Sequence, residues 1–236
     1  MNKIIVGTGS YLPERVVTND EIEFSTKDYD RERAGVSLHE WVMARTGVRS
    51  RHRIAPGEGT SDMAYHAACR ALDDAGLQPQ DLDLIVMSTF SSDYRAPNSA
   101  ALLQAKLGGE CKFFQIEHAC SGFVDAIILA SALMDYMSVK TVLVVSADAV
   151  STYSDPDKFM MQTVFGDGAG AVILRYSPDA AYGVQSSWTG ADGSIGEWAA
   201  VPGNGTKFVP STELIESGNQ YIRLAYKQVY PFAVQK

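Results

Sequence analysis

The 236-residue chain is long enough to bury a sizeable core, and its 46% hydrophobic and 20% charged residues are typical of a soluble globular protein. The formal net charge of −8 argues against nucleic acid or an anionic membrane as the main partner. The three cysteines, Cys69, Cys111 and Cys120, lack CxxC spacing, so neither a disulfide framework nor a zinc site is predicted.

The first residues, MNKIIVGTGSYLP, lack the apolar core of a signal peptide. No uninterrupted apolar run along the chain reaches membrane length. Together with the unpaired cysteines, these features predict a reduced, cytoplasmic protein.

Short apolar runs predict five strands. The first covers residues 4–13 and is expected to enter a glycine-containing turn. The other four are rich in β-branched or aromatic residues and show little alternation, as expected for strands covered on both faces: 82–90, 112–117, 141–148 and 168–176.

Two helical patterns lie between these strands. Residues 61–76 show an alanine-rich stripe, with Ser61 as the expected N-cap and Gly76 as the expected stop. Residues 120–137 are apolar almost all round, so a buried helix is expected. Strands that alternate with helices predict an α/β fold with a largely parallel sheet.

The later part of the chain has a different character. SPDAAYGV, residues 177–184, is a plausible break between two units. The glycine-rich stretch 188–206 predicts loops or a hairpin. A helix is predicted from about residue 219 until Pro231 interrupts it.

Cys120 lies in the sequence HACSGF, where the predicted strand 112–117 leads into the predicted helix 120–137. Unpaired amides and the dipole at a helix start favour the thiolate, which is the nucleophilic form of cysteine. Gly122 would let a substrate approach closely. Core packing is the alternative, because free cysteine is among the most commonly buried residues.

His118 precedes Cys120 by two residues, and residues two apart in an extended segment point to the same side. It is therefore a candidate base for the thiol, if it lies within direct hydrogen-bond reach. A hydrogen-bonded structural histidine is the alternative.

A basic cluster follows Trp41 in EWVMARTGVRSRHR, residues 40–53: Arg45, Arg49, Arg51 and Arg53. In an acidic chain this cluster is the best candidate for an anionic ligand, and tryptophan can stack on a base. A solvated charged surface is the alternative.

Eight segments resemble, in order, the thiolase-like condensing enzymes and most closely the β-ketoacyl-acyl-carrier-protein synthase III family: GTGSYLPERVVTNDEIE, EWVMARTGVRSRH, SDMAYHAACRALDDAG, HACSGF, VLVVSADA, FGDGAGAVIL, GADGSIGEW and ESGNQ. The resemblance implies a layered αβαβα fold, with a complete first half at 1–176 and a partial second half at 177–236. It also implies a homodimer, in which strand 112–117 pairs with its symmetry mate and loop 91–98 reaches the partner's pocket.

The resemblance implies that Cys120 takes an acyl group from acyl-coenzyme A as a thioester. A carbanion from decarboxylation of malonyl-acyl-carrier protein would then attack this thioester, which initiates fatty acid synthesis. The helix start would activate the thiol, and backbone amides, including that of Cys120, would stabilise the oxyanion. Acyl-coenzyme A and acyl carrier protein are the implied substrate and partner, and no metal or redox cofactor is implied.

The resemblance also assigns binding residues by position. Six are expected to hold coenzyme A and its pantetheine arm: Trp41, Arg45, Ser37, Thr46, Gly218 and Asn219. Three are expected to line the acyl pocket: Ala96, Thr163 and Phe165. Arg223, expected on the helix that follows, matches a position associated with docking of the carrier protein.

Three positions depart from the family pattern. His118 replaces a residue that is usually small, Ala96 stands where a bulky aromatic often closes the acyl pocket, and Phe159 stands where an arginine often helps to hold coenzyme A. These departures motivate an alternative function, a specialised secondary-metabolite condensing or ester-forming acyltransferase of the same superfamily.

The family's catalytic His and Asn would fall beyond residue 236. Their absence from the sequence motivates a second alternative, a non-catalytic subunit of a thiolase-like dimer. A fragment of a longer enzyme is expected in preference to a natural short form, because a half-built second sheet would expose strand edges and apolar faces.

Overall fold

The computed structural model describes residues 2–203, 205–209 and 211–235. The chain divides into two compact units, and each is assembled from three segments. Unit 1 comprises residues 1–16, 52–149 and 167–189, and unit 2 comprises the segments between and after them: 17–51, 150–166 and 190–236. These units do not follow the boundary expected at residue 176, and the division into two thiolase-like halves stays a prediction.

The strands among the described residues are β1 (Asn2–Tyr11), β2 (Arg15–Thr18), β3 (Ser50–Arg53), β4 (Leu84–Ser88), β5 (Lys112–Ile116), β6 (Thr141–Ala149), β7 (Asp167–Ser177), β8 (Ala199–Ala200) and β9 (Arg223–Leu224). The α-helices are α1 (Asn19–Ser25), α2 (Arg31–Ala34), α3 (Leu38–Arg45), α4 (Thr60–Ala75), α5 (Ser99–Leu107), α6 (Gly122–Met137), α7 (Phe159–Val164), α8 (Thr212–Glu216) and α9 (Tyr226–Gln235). β4, β5, β6 and β7 confirm four of the predicted strands.

Unit 1 is built on a five-stranded sheet with the order β1-β7-β6-β4-β5. β4 is parallel to both β5 and β6, but β7 runs antiparallel to β6 and to β1. The expectation of a largely parallel sheet is therefore only half right. No helix of unit 1 lies between β6 and β7 in the chain, and antiparallel neighbours, unlike parallel ones, do not need a crossover helix.

The two faces of this sheet are covered by different helices. Ile85 and Met87 of β4 belong to a core cluster with α4 and α5, while Leu84 and Val86 belong to a cluster with α6. Because successive strand residues point to opposite faces, a continuous apolar run such as LIVM is what a doubly covered strand requires. Unit 1 is therefore a three-layer α/β/α arrangement, as the α/β prediction requires.

The first strand does not end in a glycine turn, as was predicted, but continues through its glycines to Tyr11. Gly7 and Gly9 lie against the backbone of α4. A Cβ at Gly7 would lie 2.4 Å from the Ala71 carbonyl oxygen, and one at Gly9 would lie 2.1 Å from that of Ala67. These glycines thus allow close contact between the strand and the helix.

Helix α4 ends at Gly76 as predicted, with this residue in the left-handed conformation at φ 65°. Its N-cap is Gly59 and not the expected Ser61. The Asp62 carboxylate accepts the Gly59 N–H at 2.8 Å, while the hydroxyl of Ser61 donates to Asp93 at 2.9 Å. The Ser61 side chain therefore bonds Asp93, a residue distant in the sequence, and does not cap α4.

Helix α6 is less buried than its apolar sequence predicted. One stripe at four-residue spacing faces the sheet, namely Gly122, Ala126, Ala130 and Met134. Val124 is 57% exposed and Tyr136 is 89% exposed. By length and composition alone, Ala119–Met137 could cross a membrane, although two aspartates interrupt it and core helices of soluble proteins meet the same criterion.

Unit 2 has its own small core, in which Ile22 of α1 and Leu38 and Val42 of α3 are buried. Later in this unit, β8 pairs antiparallel with β9. The helix expected from about residue 219 begins only at Tyr226 as α9 and includes Pro231, so Pro231 does not end it. Pairing of Arg223 with Ala200 accounts for the extended backbone before α9.

Candidate active site

Cys120 lies in the turn between β5 and α6. Residues Ala119–Ser121 form a single 3₁₀ turn, and the Ser121 N–H donates to the His118 carbonyl at 3.3 Å. The Cys120 side chain is exposed, so it does not pack in the core of unit 1. Cys120 lies two residues before Gly122, the first residue of α6, and therefore close to the predicted position at the helix start.

Gly122 has a structural role that differs from the prediction. A Cβ at this position would lie 2.0 Å from the Ser88 hydroxyl oxygen and 3.2 Å from the Ser88 Cβ. The glycine therefore lets α6 begin against the end of β4, and it places the Cys120 turn at the carboxyl edge of the parallel strands. Ligands of open α/β sheets bind at this edge.

His118 does not have the extended backbone on which its predicted orientation depended, since its φ and ψ are −125° and 16°. Its ring atom Nδ1 lies 3.0 Å from Oδ2 of Asp125 in the first turn of α6. Asp125 also accepts hydrogen bonds from Ser121 Oγ at 2.6 Å and Thr189 Oγ1 at 2.9 Å. These bonds, that of Ser121 first and that of His118 second, lower the pKa of Asp125.

A half-buried carboxylate, Asp148, holds the start of the loop that carries Ala96. Its Oδ1 accepts hydrogen bonds from Thr89 Oγ1 at 3.0 Å, Phe90 N at 3.0 Å and Ser91 Oγ at 3.1 Å. Desolvation by burial, opposed by these hydrogen bonds, raises the pKa of Asp148. Asp148 was not predicted from the sequence, although a carboxylate that follows the apolar run TVLVVSA was an available signal.

The same loop is held by hydrogen bonds to three further elements, α4, α5 and β5. Asp93 Oδ2 accepts the Ser61 N–H at 3.0 Å and the Ser99 hydroxyl at 2.6 Å. Gln115 of β5 donates to Ser92 Oγ at 2.8 Å. The loop apex, residues 94–97, is exposed. Ala96 is thus presented to solvent on an anchored loop and does not lie in a closed pocket of unit 1.

The raised pKa of Asp148 makes the free energy of unfolding depend on pH. Below the ordinary pKa of aspartate, about 3.9, the side chain is protonated in both folded and unfolded protein, and its contribution to stability is fully present. As pH rises through the folded pKa, this contribution is lost, because the partly desolvated carboxylate must ionise.

We therefore expect the Asp148→Asn variant, which keeps an acceptor oxygen but not the charge, to gain stability relative to wild type between pH 4 and pH 7. Urea denaturation across this range measures the difference. Asp179→Asn, at an exposed position, is the control and should show no such trend. A difference for Asp148→Asn that does not change with pH would contradict the interpretation.

Trp41 and Arg45 of α3 contact each other in unit 2. The Arg45 guanidinium carbon lies 3.9 Å from the Trp41 ring centroid, and Phe159 packs edge-on against the ring at 5.3 Å. The basic cluster does not act as one surface, because Arg51 is buried and donates to Asn19 Oδ1 at 2.6 Å and to the Thr163 carbonyl at 3.0 Å. Arg51 therefore supports the fold, while Arg45 is exposed.

Two other residues assigned to coenzyme A cap the same helix. The Ser37 hydroxyl accepts the Glu40 N–H at 3.2 Å and forms a capping box with it. Thr46 is the C-cap, and its hydroxyl donates to the Val42 carbonyl at 3.1 Å. The structure gives each a local role in the helix, and their assignment to coenzyme A stays a prediction.

The remaining assigned residues of unit 2 lie in two places. Thr163 is buried in α7 and Phe165 is half-buried just after it. Gly218 adopts a left-handed conformation at φ 68°, and the side chain of the next residue, Asn219, accepts a hydrogen bond from Arg223. Arg223 is exposed and lies in β9, so the expectation that it lies on a helix is wrong.

Residues 114–193 match the family model described as 3-oxoacyl-[acyl-carrier-protein (ACP)] synthase III. The β-ketoacyl-[acyl-carrier-protein] synthase III of Caldanaerobacter subterraneus is 35% identical over 232 residues, which cover 98% of this chain and 67% of that protein. The Xylella fastidiosa enzyme is 42% identical over 229 residues, with 94% and 67% covered. The chain belongs to the synthase III family.

Solved structures agree with this membership. The synthase III of Pseudomonas aeruginosa matches with a TM-score of 0.82 at 31% identity, over 98% of this chain and 67% of that one. A priming β-ketosynthase of a polyketide biosynthetic pathway matches with a TM-score of 0.81 at 26% identity, over 100% and 66%. The predicted thiolase-like α/β fold, the family and the acyltransferase class are confirmed.

Proposed function

We propose that this synthase III family member takes an acyl group from acyl-coenzyme A onto Cys120 and condenses it with a malonyl group on acyl carrier protein. The observation that carries the proposal is an exposed thiol in the turn between β5 and α6, in a chain of this family. Of the three cysteines, Cys120 alone is exposed, while Cys69 and Cys111 are partly buried.

The proposed reaction has two steps. In the first, the Cys120 thiolate attacks the thioester carbonyl, the carbon–sulfur bond to coenzyme A breaks, and coenzyme A leaves as a thiol. In the second, decarboxylation of the malonyl group gives a carbanion that attacks the new thioester and releases the Cys120 thiolate. No residue of 1–236 is assigned to activation of the malonyl group, and no metal or redox cofactor is required.

Charge on the described surface supports the choice of partners. Arg45 of α3 is exposed beside Trp41, where it can meet the phosphates of coenzyme A. Arg223 is exposed in β9 and is our candidate for contact with an acidic carrier protein. We further propose a cytoplasmic homodimer in which β5, at the edge of the sheet of unit 1, pairs with its symmetry mate.

The direct test is acylation of the purified protein. After incubation with acetyl-coenzyme A and a series of longer acyl donors, intact-mass spectrometry should show one added acyl group, and peptide mapping should place it on the peptide that contains Cys120. Malonyl-acyl-carrier protein should then discharge the adduct. Absence of an adduct with every donor would refute the proposed function.

A second function is supported by other observations: a specialised secondary-metabolite condensing or ester-forming acyltransferase of the same superfamily. Ala96 is small and exposed, and Phe159 contacts the Trp41 ring where an arginine was expected. The match to a polyketide priming ketosynthase is consistent with it. Acylation rates across the donor series separate the two functions, because a strong preference for acetyl donors would favour initiation of fatty acid synthesis.

The role of Arg45 can be tested with two donors. Because a charge-assisted contact to phosphate contributes about 1.5–3 kcal/mol, we expect Arg45→Ala to raise KM for acyl-coenzyme A by roughly 10- to 100-fold. KM for the matching acyl-pantetheine, which lacks the nucleotide, should not change. Arg33→Ala, at an exposed position of α2, is the control. An equal increase for both donors would contradict the assignment.

A further inference from the structure

The exposed side chain of His118 and the carboxylate of Asp125 form a pair beside Cys120. We propose that this pair is a general base for a hydroxyl acceptor, so that the acyl group on Cys120 is transferred to water or to an alcohol. The inference rests on the proposed acylation of Cys120 and adds a second fate for the acyl-enzyme. All the residues involved belong to unit 1.

The contact with Asp125 determines which ring nitrogen is available. A neutral imidazole that hydrogen-bonds a carboxylate through Nδ1 carries its proton there, and its Nε2 lone pair can then accept a proton. The lowered pKa of Asp125 keeps its carboxylate charged at neutral pH. This is the arrangement by which a carboxylate orients a catalytic histidine in hydrolases.

The carboxylate is itself fixed in place. Ser121 Oγ donates to Oδ2 at 2.6 Å and Thr189 Oγ1 donates to Oδ1 at 2.9 Å, so both oxygens are engaged. The Asp125 side chain is 12% exposed, whereas that of His118 is 56% exposed. The orienting group is therefore shielded, and the base faces the solvent from which a hydroxyl acceptor would arrive.

The base and the thiol lie in the same turn. His118 and Cys120 are two residues apart, and two Cα–Cα steps of about 3.8 Å limit the distance between their Cα atoms to less than about 7.6 Å. The Ser121 N–H closes this turn on the His118 carbonyl at 3.3 Å. The backbone therefore keeps the two residues within one turn of each other, as a base and an acyl group that share an acceptor require.

Helix capping explains only part of this cluster. A carboxylate in the first turn of α6 is favoured by the helix dipole, and the Ser121 hydroxyl binds it. An imidazole gains nothing from that dipole, and a protonated one is disfavoured at a helix N-terminus. The helix dipole therefore accounts for Asp125 but not for His118.

The proposed step balances without another reagent. Nε2 of His118 takes the proton of the hydroxyl as its oxygen attacks the thioester carbonyl and the carbon–oxygen bond forms. The tetrahedral intermediate then collapses, the carbon–sulfur bond breaks, and the Cys120 sulfur recovers the proton from the imidazolium. The products are an ester, or a carboxylic acid when water is the acceptor, and free Cys120.

The experiment follows the decay of the acyl-enzyme. The protein is acylated with acetyl-coenzyme A and desalted, and loss of the added mass is timed with and without glycerol as a test alcohol. A general base contributes about 10²- to 10⁴-fold, so we expect decay at least about tenfold slower in His118→Gln and His118→Ala. Added imidazole should accelerate decay in His118→Ala more than in wild type, a rescue that a purely structural role does not predict.

Controls and outcomes separate this inference from the proposed function. Glu117→Gln, at the exposed neighbouring position, should decay like wild type, and Asp125→Asn should be slowed. Equal decay in wild type and both His118 variants, with an adduct present, would overturn this inference alone. If no adduct forms, the inference and the proposed function fail together.

Discussion

Replacement of Cys120 with alanine is expected to abolish acylation and to lower condensing activity by at least about a thousandfold, because the covalent route requires the thiolate. The variant should fold normally, since the side chain is exposed and lies in a turn before α6. Intact-mass spectrometry after incubation with acyl-coenzyme A measures the adduct, and circular dichroism verifies the fold.

The other two cysteines are the matched controls. Cys69 and Cys111 are partly buried, and burial raises the pKa of the Cys111 thiol, which keeps it neutral and weakly nucleophilic near pH 7. Cys69→Ala and Cys111→Ala should therefore retain the adduct. An adduct that persists in Cys120→Ala, or that maps to the Cys111 peptide in wild type, would contradict the assignment of the nucleophile.

The sheet of unit 1 was predictable because burial on both faces leaves a continuous apolar run. LIVM in β4 and VLVV in β6 are such runs, and both form central strands. The same reasoning predicted a fully buried α6, which is wrong. An apolar helix sequence does not show how many faces of the helix pack against other elements of residues 1–236. Four small or flexible residues at four-residue spacing contact the sheet, and other apolar residues of the helix are exposed.

The position of Cys120 in the fold was predictable from the sequence, but the contacts around it were not. A strand that leads into a helix places a residue at the carboxyl edge of a sheet, and this geometry follows from local pattern. The partners of Asp148, which span residues 89–91, and the burial of Arg51 depend on tertiary contacts between distant segments. Local sequence could therefore indicate a basic cluster around Arg51 but not that its guanidinium lies inside the core.

The roles of the glycines in β1 also depend on tertiary contacts that local sequence does not reveal. Substitution of one of them is expected to have the largest effect on stability. Sequence pattern placed them in a turn, while the structure packs them on the α4 backbone. In Gly9→Ala, the new Cβ would lie 2.1 Å from the Ala67 carbonyl oxygen and 2.5 Å from the Ala71 nitrogen. Neither atom can move without distortion of α4, so we expect a loss of about 3 kcal/mol or more in the free energy of unfolding.

Gly170 of β7 supplies the matched control for this change. It lies opposite Ser10 in the ladder with β1, one residue from Gly9, but a Cβ there would have nothing within 4 Å. Gly170→Ala should therefore be neutral or stabilise the fold by up to about 1 kcal/mol, because alanine reduces the entropy of the unfolded chain. Urea denaturation of both variants measures the contrast. Similar stabilities for Gly9→Ala and Gly170→Ala would show that contact with the α4 backbone does not explain the glycine at position 9.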